Sequence, residues 1–383
     1  MTQLLKHGAW LGLAWLAISA AACGNEATTT AAAGSASATT GASGAAGGGA
    51  TNVSAASTGG GAAGGVGGGG GSGGSPPLTV AKCFENAFVT PLMGPDYDQF
   101  GPIVGSHCLG TNHQQITGVE RVVFLGDSVA VGTPPTVSTD FYRAKLADGL
   151  ANKFNLNKPN LLWQSVNPLD GKAFVKESGD FASCAKWGAR TDDLSPTQIP
   201  DCFASAQFNK RTLIVITMGG NDIGNLTKDA IDEQTDMQLW DTTKAFVQLQ
   251  RDAVAWLMEP GRFPNGVFIV FANMYEFTDG TGEVESCDVS ALAGFDKPVP
   301  APEKLADMVS WANEQFLKIA VDYQVDMIFM LEEFCGHGFN ADNPSAPCYR
   351  GPNQEQWFDL TCTHPNPTGH DQIQKMYMAV VNE

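Results

Sequence analysis

The sequence predicts an α/β domain, a three-layer α/β/α sandwich around a central, mostly parallel five-stranded sheet. Apolar runs of strand length alternate with longer amphipathic patterns from residue 121 to the end. The runs are continuously apolar rather than alternating, as in strands buried on both faces. Small polar clusters follow several runs directly, and open sheets of this class bind ligands beyond the carboxyl ends of their strands.

The elements follow in order. Val122–Leu125 reads as the first strand. Residues 139–154 read as a helix with Phe141, Leu146, Leu150 and Phe154 on one side. LLWQSV (161–166) reads as the second strand and TLIVITM (212–218) as the third, apolar enough to be central. A long helix over 237–258 offers Leu239, Phe246, Leu249, Val254 and Leu257 as its buried stripe. Strand four is 266–275, a helix covers 303–323, strand five is 325–331, and a last helix runs from Thr368 towards Val381. The strand-end rule then points to Ser128, the Cys184–Arg190 region, Gly219–Asp222 and the long Glu332–His364 segment.

The amino terminus is organised differently. Lys6, an apolar core from Ala9 to Ile18 and small residues running into Cys23 form an export signal over 1–22, too short for a membrane-spanning helix. Cys23 after Ala20, Ala21 and Ala22 resembles a bacterial lipobox, which implies a lipidated Cys23. Residues 24–75 are almost entirely Ala, Gly, Ser and Thr. They cannot offset ordering entropy by burial, so 23–75 is expected to be a flexible tether spanning roughly 40 Å. The folded domain is expected over 76–383.

A net charge of −18 without a Lys/Arg cluster argues against nucleic acid or an anionic membrane surface as partner. Of nine cysteines, removing Cys23 leaves eight, an even set that reads as disulfides in an exported chain. Short loops favour Cys83–Cys108, Cys184–Cys202 and Cys335–Cys348, leaving Cys287–Cys362. Two Cys-x-His pairs, Cys335-Gly336-His337 and Cys362-Thr363-His364, pose zinc as the alternative. An oxidising compartment favours the disulfides.

Four short blocks carry the chemistry. They are Gly126-Asp127-Ser128, Gly188 in KWGARTDDL, Gly220-Asn221-Asp222 in VITMGGNDIG, and His364-Pro365-Asn366 in CTHPNPTGH. Any one is weak alone. In this order, at successive strand ends, they resemble the GDSL esterases and lipases of the SGNH hydrolase superfamily over roughly residues 118–383. The resemblance implies a flavodoxin-like fold and an ester hydrolase with Ser128 as nucleophile and His364 as general base. It also implies an oxyanion hole from Ser128 N–H, Gly188 N–H and the Asn221 side chain. The chemistry agrees: a serine hydroxyl needs a base, and an imidazole of pKa near 6.5 suits that task. An ordinary imidazole would let activity fall below about pH 6.

One position departs from the family, whose usual aspartate three residues before the histidine is Thr361 here. Asp359, five before, is the candidate orienting group for His364 Nδ1; the main-chain carbonyl at Thr361 is the alternative. His370 reads as structural or as a polar residue on the helix surface, His337 as a loop residue with a substrate groove as its alternative, and Trp187 and Trp357 as core or acyl-pocket residues. Two rival functions remain. An α/β-hydrolase lipase expects a Gly-x-Ser-x-Gly elbow, but Ala130 stands at its last position. A non-catalytic surface-binding lipoprotein would use tether and disulfides equally well. The leading expectation is an exported, lipid-anchored, monomeric enzyme acting on an ester substrate without cofactor or metal.

Overall fold

The structure, a computed structural model, describes residues 78–89 and 94–383. The export signal, Cys23 and the tether lie outside the described residues. Helix α1 (Val80–Phe84) precedes β1 (Arg121–Gly126), α2 (Ser128–Val131) and α3 (Tyr142–Phe154). Next come α4 (Leu161–Gln164), a hairpin of β2 (Val166–Asn167) and β3 (Lys172–Ala173), then β4 (Glu177–Ser178) and β5 (Phe181–Ser183). After α5 (Ile199–Cys202) follow β6 (Thr212–Thr217), α6 (Gly220–Ile231) and α7 (Asp236–Leu257). The chain ends through β7 (Val267–Ala272), α8 (Pro302–Tyr323), β8 (Asp326–Ile328), α9 (Met330–Phe334) and α10 (Pro367–Asn382).

The main sheet has six strands in the order β4-β5-β1-β6-β7-β8. Strands β5, β1, β6, β7 and β8 are parallel, and β4 is a two-residue antiparallel addition at one edge. The number of parallel strands is therefore as expected, with one extra edge strand. Counted along the chain, the parallel strands run 2-1-3-4-5 in space, a doubly wound order. Its switch point falls beside β1, where neighbouring connections leave for opposite faces and open a crevice.

Alternation along β1 supplies both cores. Val122 and Phe124 face Leu146, Leu150, Ile373 and Tyr377 of α3 and α10. Val123 and Leu125 face Phe246, Val254, Phe316 and Leu317 of α7 and α8. All are fully or almost fully buried, each side chain stabilising by about 1.5–3 kcal/mol relative to exposure. Caps fix the helix ends. Thr235 and Gln238 form a reciprocal capping box at α7, and Asn366 Oδ1 accepts from Gly369 N–H at α10. Helix α3 has no cap from its own segment; His370 Nδ1 accepts the Tyr142 N–H at 3.2 Å instead. His370 is therefore an architectural residue.

The expected second strand over 161–166 is corrected. Asn160 Oδ1 accepts from Trp163 N–H and starts a helical turn, leaving Leu161 and Leu162 exposed and only Trp163 buried. The second parallel strand is Phe181–Ser183, too short to announce itself as an apolar run. It nonetheless ends directly before the Cys184–Arg190 segment.

At the opposite edge, residues 109–114 run antiparallel beside β8. Thr111 N–H donates to Met327 O at 2.9 Å, and Phe329 N–H to Leu109 O at 3.0 Å. Met327 N–H donates to Thr111 Oγ1 and His113 N–H to Asp326 Oδ1. Among the described residues no helix is long and apolar enough to cross a membrane.

Candidate active site

The end of β1 is tightly specified. Gly126 has φ +139°, and a Cβ there would lie 2.1 Å from Thr217 O, so only glycine fits between β1 and β6. Where β5 has already ended, Gln198 takes its place: its Oε1 accepts from Gly126 N–H at 2.7 Å and its Nε2 donates to Gly126 O at 2.8 Å. Asp127 then caps the short α2 by accepting from Val129 N–H. Ser128 is the first residue of that helix, so its N–H has no intrahelical partner.

His364 meets Ser128 there. Its Nε2 lies 2.9 Å from Ser128 Oγ, across 236 residues of sequence, and both side chains are buried. The histidine sits on a tight turn after α9, where Asp359 N–H donates to His364 O and Cys362 N–H to Asp359 O. The Cys287–Cys362 disulfide and a hydrogen bond from Tyr275 OH to Thr363 O hold this turn from outside.

Neither expected orienting group touches Nδ1. Asp359 does not reach His364 Nδ1, and the Thr361 carbonyl is not its partner. The Thr361 hydroxyl stands between them, 2.6 Å from His364 Nδ1 and 2.5 Å from Asp359 Oδ1. The sequence places a threonine at that position, and its side chain rather than its carbonyl meets the imidazole.

The other two blocks are tied to the same crevice. Lys186 N–H donates to Gly126 O, bringing the Gly188 turn beside the strand that ends at Ser128. Gly188 has φ +73°, and its N–H meets no acceptor among the described residues. Asn221, near the start of α6, donates one Nδ2 hydrogen to Ala189 O at 2.9 Å, leaving the other for a ligand. Asp222 accepts Thr191 N–H at 3.1 Å and Thr191 Oγ1–H at 2.9 Å. Gly220 lies against Asp127, whose Oδ2 is 3.6 Å from where its Cβ would be. Three strand ends thus share one site, and this arrangement can pass a serine proton to an imidazole beside unengaged N–H donors.

Burial governs the electrostatics. It lowers His364 to about 4, leaving the imidazole neutral at pH 7. It raises Asp359 to about 6 against two hydrogen bonds from Thr361, and it raises Asp127 and Asp222 each to about 7. Beside the turn lies a cleft of about 320 Å³ with apolar walls from Pro135, Val137, Phe339, Phe358 and Leu360, reaching Asp359 but not lined by Ser128 or His364.

Other singled-out residues fall elsewhere. His337 stacks on Trp357 with ring centroids 3.6 Å apart and is lowered by burial to about 4; its Nδ1 meets Glu355 O. Trp187 is buried and its Nε1–H donates to Gly132 O, so it packs rather than lining an acyl pocket. Cys335 and Cys362 of the Cys-x-His pairs are both in disulfides, which removes the thiolates a zinc site would need. The four disulfides carry the expected pairings and are consistent with an exported protein.

No known family's sequence profile matches the chain, and no curated protein matches it. Several solved structures are similar in fold, three of them as follows. An extracellular lipase from Streptomyces rimosus is 19% identical with a TM-score of 0.39, over 69% of this chain and 99% of that one. A gut microbial diltiazem-metabolizing enzyme is 13% identical with a TM-score of 0.44, over 71% of this chain and 49% of that one. The lipase Lip_vut3 from a goat rumen metagenome is 14% identical with a TM-score of 0.43, over 68% of this chain and 96% of that one.

Proposed function

We propose that this chain is an exported serine hydrolase of carboxylic esters, of the GDSL type in the SGNH superfamily, working through an acyl-enzyme on Ser128. The observation that carries the reading is the 2.9 Å contact between Ser128 Oγ and His364 Nε2 at the switch point of a doubly wound sheet. In the proposed cycle His364 Nε2 takes the Ser128 proton as Oγ bonds to the acyl carbon. The carbonyl oxygen becomes an oxyanion that accepts from Ser128 N–H, Gly188 N–H and the second Asn221 Nδ2 hydrogen, each donor worth about 3 kcal/mol. Collapse expels the alcohol with the proton held on His364, and water repeats the sequence to release the acid. The cleft beside Asp359 offers an apolar part of the ester a place along the turn that carries the histidine. A lipid on Cys23 and the 23–75 tether would keep the enzyme at a membrane of the cell envelope.

Reaction of the purified protein with a fluorophosphonate, mapped by mass spectrometry, tests the reading. Adduct on Ser128, together with loss of p-nitrophenyl acetate turnover in Ser128→Ala, is expected. An unlabelled Ser128, or turnover that survives Ser128→Ala, refutes it and leaves the binding-lipoprotein reading.

A further inference from the structure

This inference rests on the esterase reading above and concerns how its base is held. We propose that Thr361 is the positioning residue of His364: its hydroxyl, in place of a directly bonded carboxylate, receives the imidazole Nδ1–H and links it to Asp359.

The proton count fixes the direction. Thr361 Oγ1 carries one hydrogen and has two partners, Asp359 Oδ1 at 2.5 Å and His364 Nδ1 at 2.6 Å. An ionised carboxylate only accepts, so the hydroxyl donates to Asp359 and must accept from Nδ1–H. The imidazole proton is then on Nδ1, and Nε2 presents a lone pair to the Ser128 hydroxyl. That is the tautomer a general base needs. When Nε2 takes the serine proton, the imidazolium keeps Nδ1–H in place against a hydroxyl already polarised towards a carboxylate. No proton passes on to Asp359.

The anchoring of Asp359 fits this role. Thr361 N–H also donates to Asp359 Oδ1, at 2.8 Å, while Asp359 Oδ2 is buried with no hydrogen-bond partner. Both hydrogen bonds to the carboxylate come from Thr361, so holding that one residue is its whole hydrogen-bonding duty. An aspartate and a threonine in such a turn are common as local structure alone, which makes the decisive question one of coupling.

The test is a double-mutant cycle on p-nitrophenyl acetate with the mature protein, using Thr361→Val, Thr361→Ser, Asp359→Asn and the Thr361→Val/Asp359→Asn pair. Misaiming the base should lower kcat of Thr361→Val about 100-fold with KM held within threefold. Thr361→Ser, which keeps the hydroxyl, should recover to within about fivefold of the parent enzyme. Asp359→Asn should also lower kcat, and the pair should be no slower than Thr361→Val, because the carboxylate acts through the hydroxyl. Parental kcat in Thr361→Val, a serine variant as slow as the valine one, or losses that multiply in the pair would each overturn the proposal. If Thr361→Val does not fold, Asp359→Asn decides: lowered kcat at unchanged KM supports the link, and unchanged kcat sinks it. Fluorophosphonate labelling of Ser128 in the parent protein separates the outcomes. An enzyme that labels normally but ignores Thr361 loses this inference and keeps its function.

Discussion

Replacing Asp222 by alanine removes both ties between α6 and the turn that carries Gly188. Thr191 N–H and Thr191 Oγ1–H each lose their acceptor in a buried place. An orphaned buried N–H costs about 1–3 kcal/mol, and the hydroxyl less because it can rotate. Removing a carboxylate that burial has raised to about 7 returns part of that, so a net destabilisation of about 2 kcal/mol is expected. The larger effect is on rate. Gly188 N–H and Asn221 Nδ2 are aimed through this tie and through the Asn221–Ala189 bond. Losing the aim of one donor should lower kcat about 100-fold with KM little changed. Asp222→Asn is the control: its amide oxygen accepts Thr191 N–H and its amide N–H donates to Thr191 Oγ1, so both ties survive with one reversed. Its kcat should stay within about fivefold of the parent enzyme. Steady-state hydrolysis of p-nitrophenyl acetate, with urea melts for stability, measures both. Equal kcat in the alanine and asparagine variants would show that the ties are not what aims the donors.

Three further outcomes are expected. Burial raises Asp359 to about 6 and lowers His364 to about 4, so kcat/KM should fall in two stages. The first comes as pH drops through 6 and the carboxylate holding the Thr361 hydroxyl is protonated, the second near 4 as the imidazole charges and no longer accepts a proton; a profile with no second fall near 4 would contradict the buried imidazole. Gly126→Ala should cost about 3 kcal/mol or prevent folding, since its Cβ would strike Thr217 O at a φ that L-residues avoid; a urea midpoint unchanged from the parent would refute this. Burial raises Glu332 to about 7, above its unfolded value, so its stabilising contribution is present at low pH and is lost as pH rises through 7. Glu332→Gln should therefore stabilise by up to about 3 kcal/mol at pH 8 and hardly at all at pH 4. Equal Tm gains at both pH values would count against it.

The sheet was legible because its central strands are apolar on both faces, and the strand-end rule needs only their carboxyl ends. Ser128, Gly188, Asn221 and His364 could be marked that way, and the structure brings all four segments to one crevice. Phe181–Ser183 escaped because three residues carry no period, and the Asn160 cap that bends 161–164 into a helix is a local hydrogen bond, not a hydropathy signal. Gln198 substituting for a strand neighbour of Gly126 depends on a tertiary contact across 72 residues. The Thr361 hydroxyl is not legible in sequence because its role depends on the turn that folds Asp359 back onto it, a geometry that residue identity alone does not carry.

The antiparallel ribbon at 109–114 also bears on how the sheet meets other chains. A parallel sheet whose last strand lay bare would offer another copy a row of unpaired amides to add to, the beginning of a fibril. On one side that row is occupied by the protein's own chain, and on the other the sheet stops at two residues, Glu177 and Ser178, too few to template a neighbour. High concentration should therefore not join these molecules edge to edge, because each sheet is closed to strand exchange by its own 109–114 segment and its short β4.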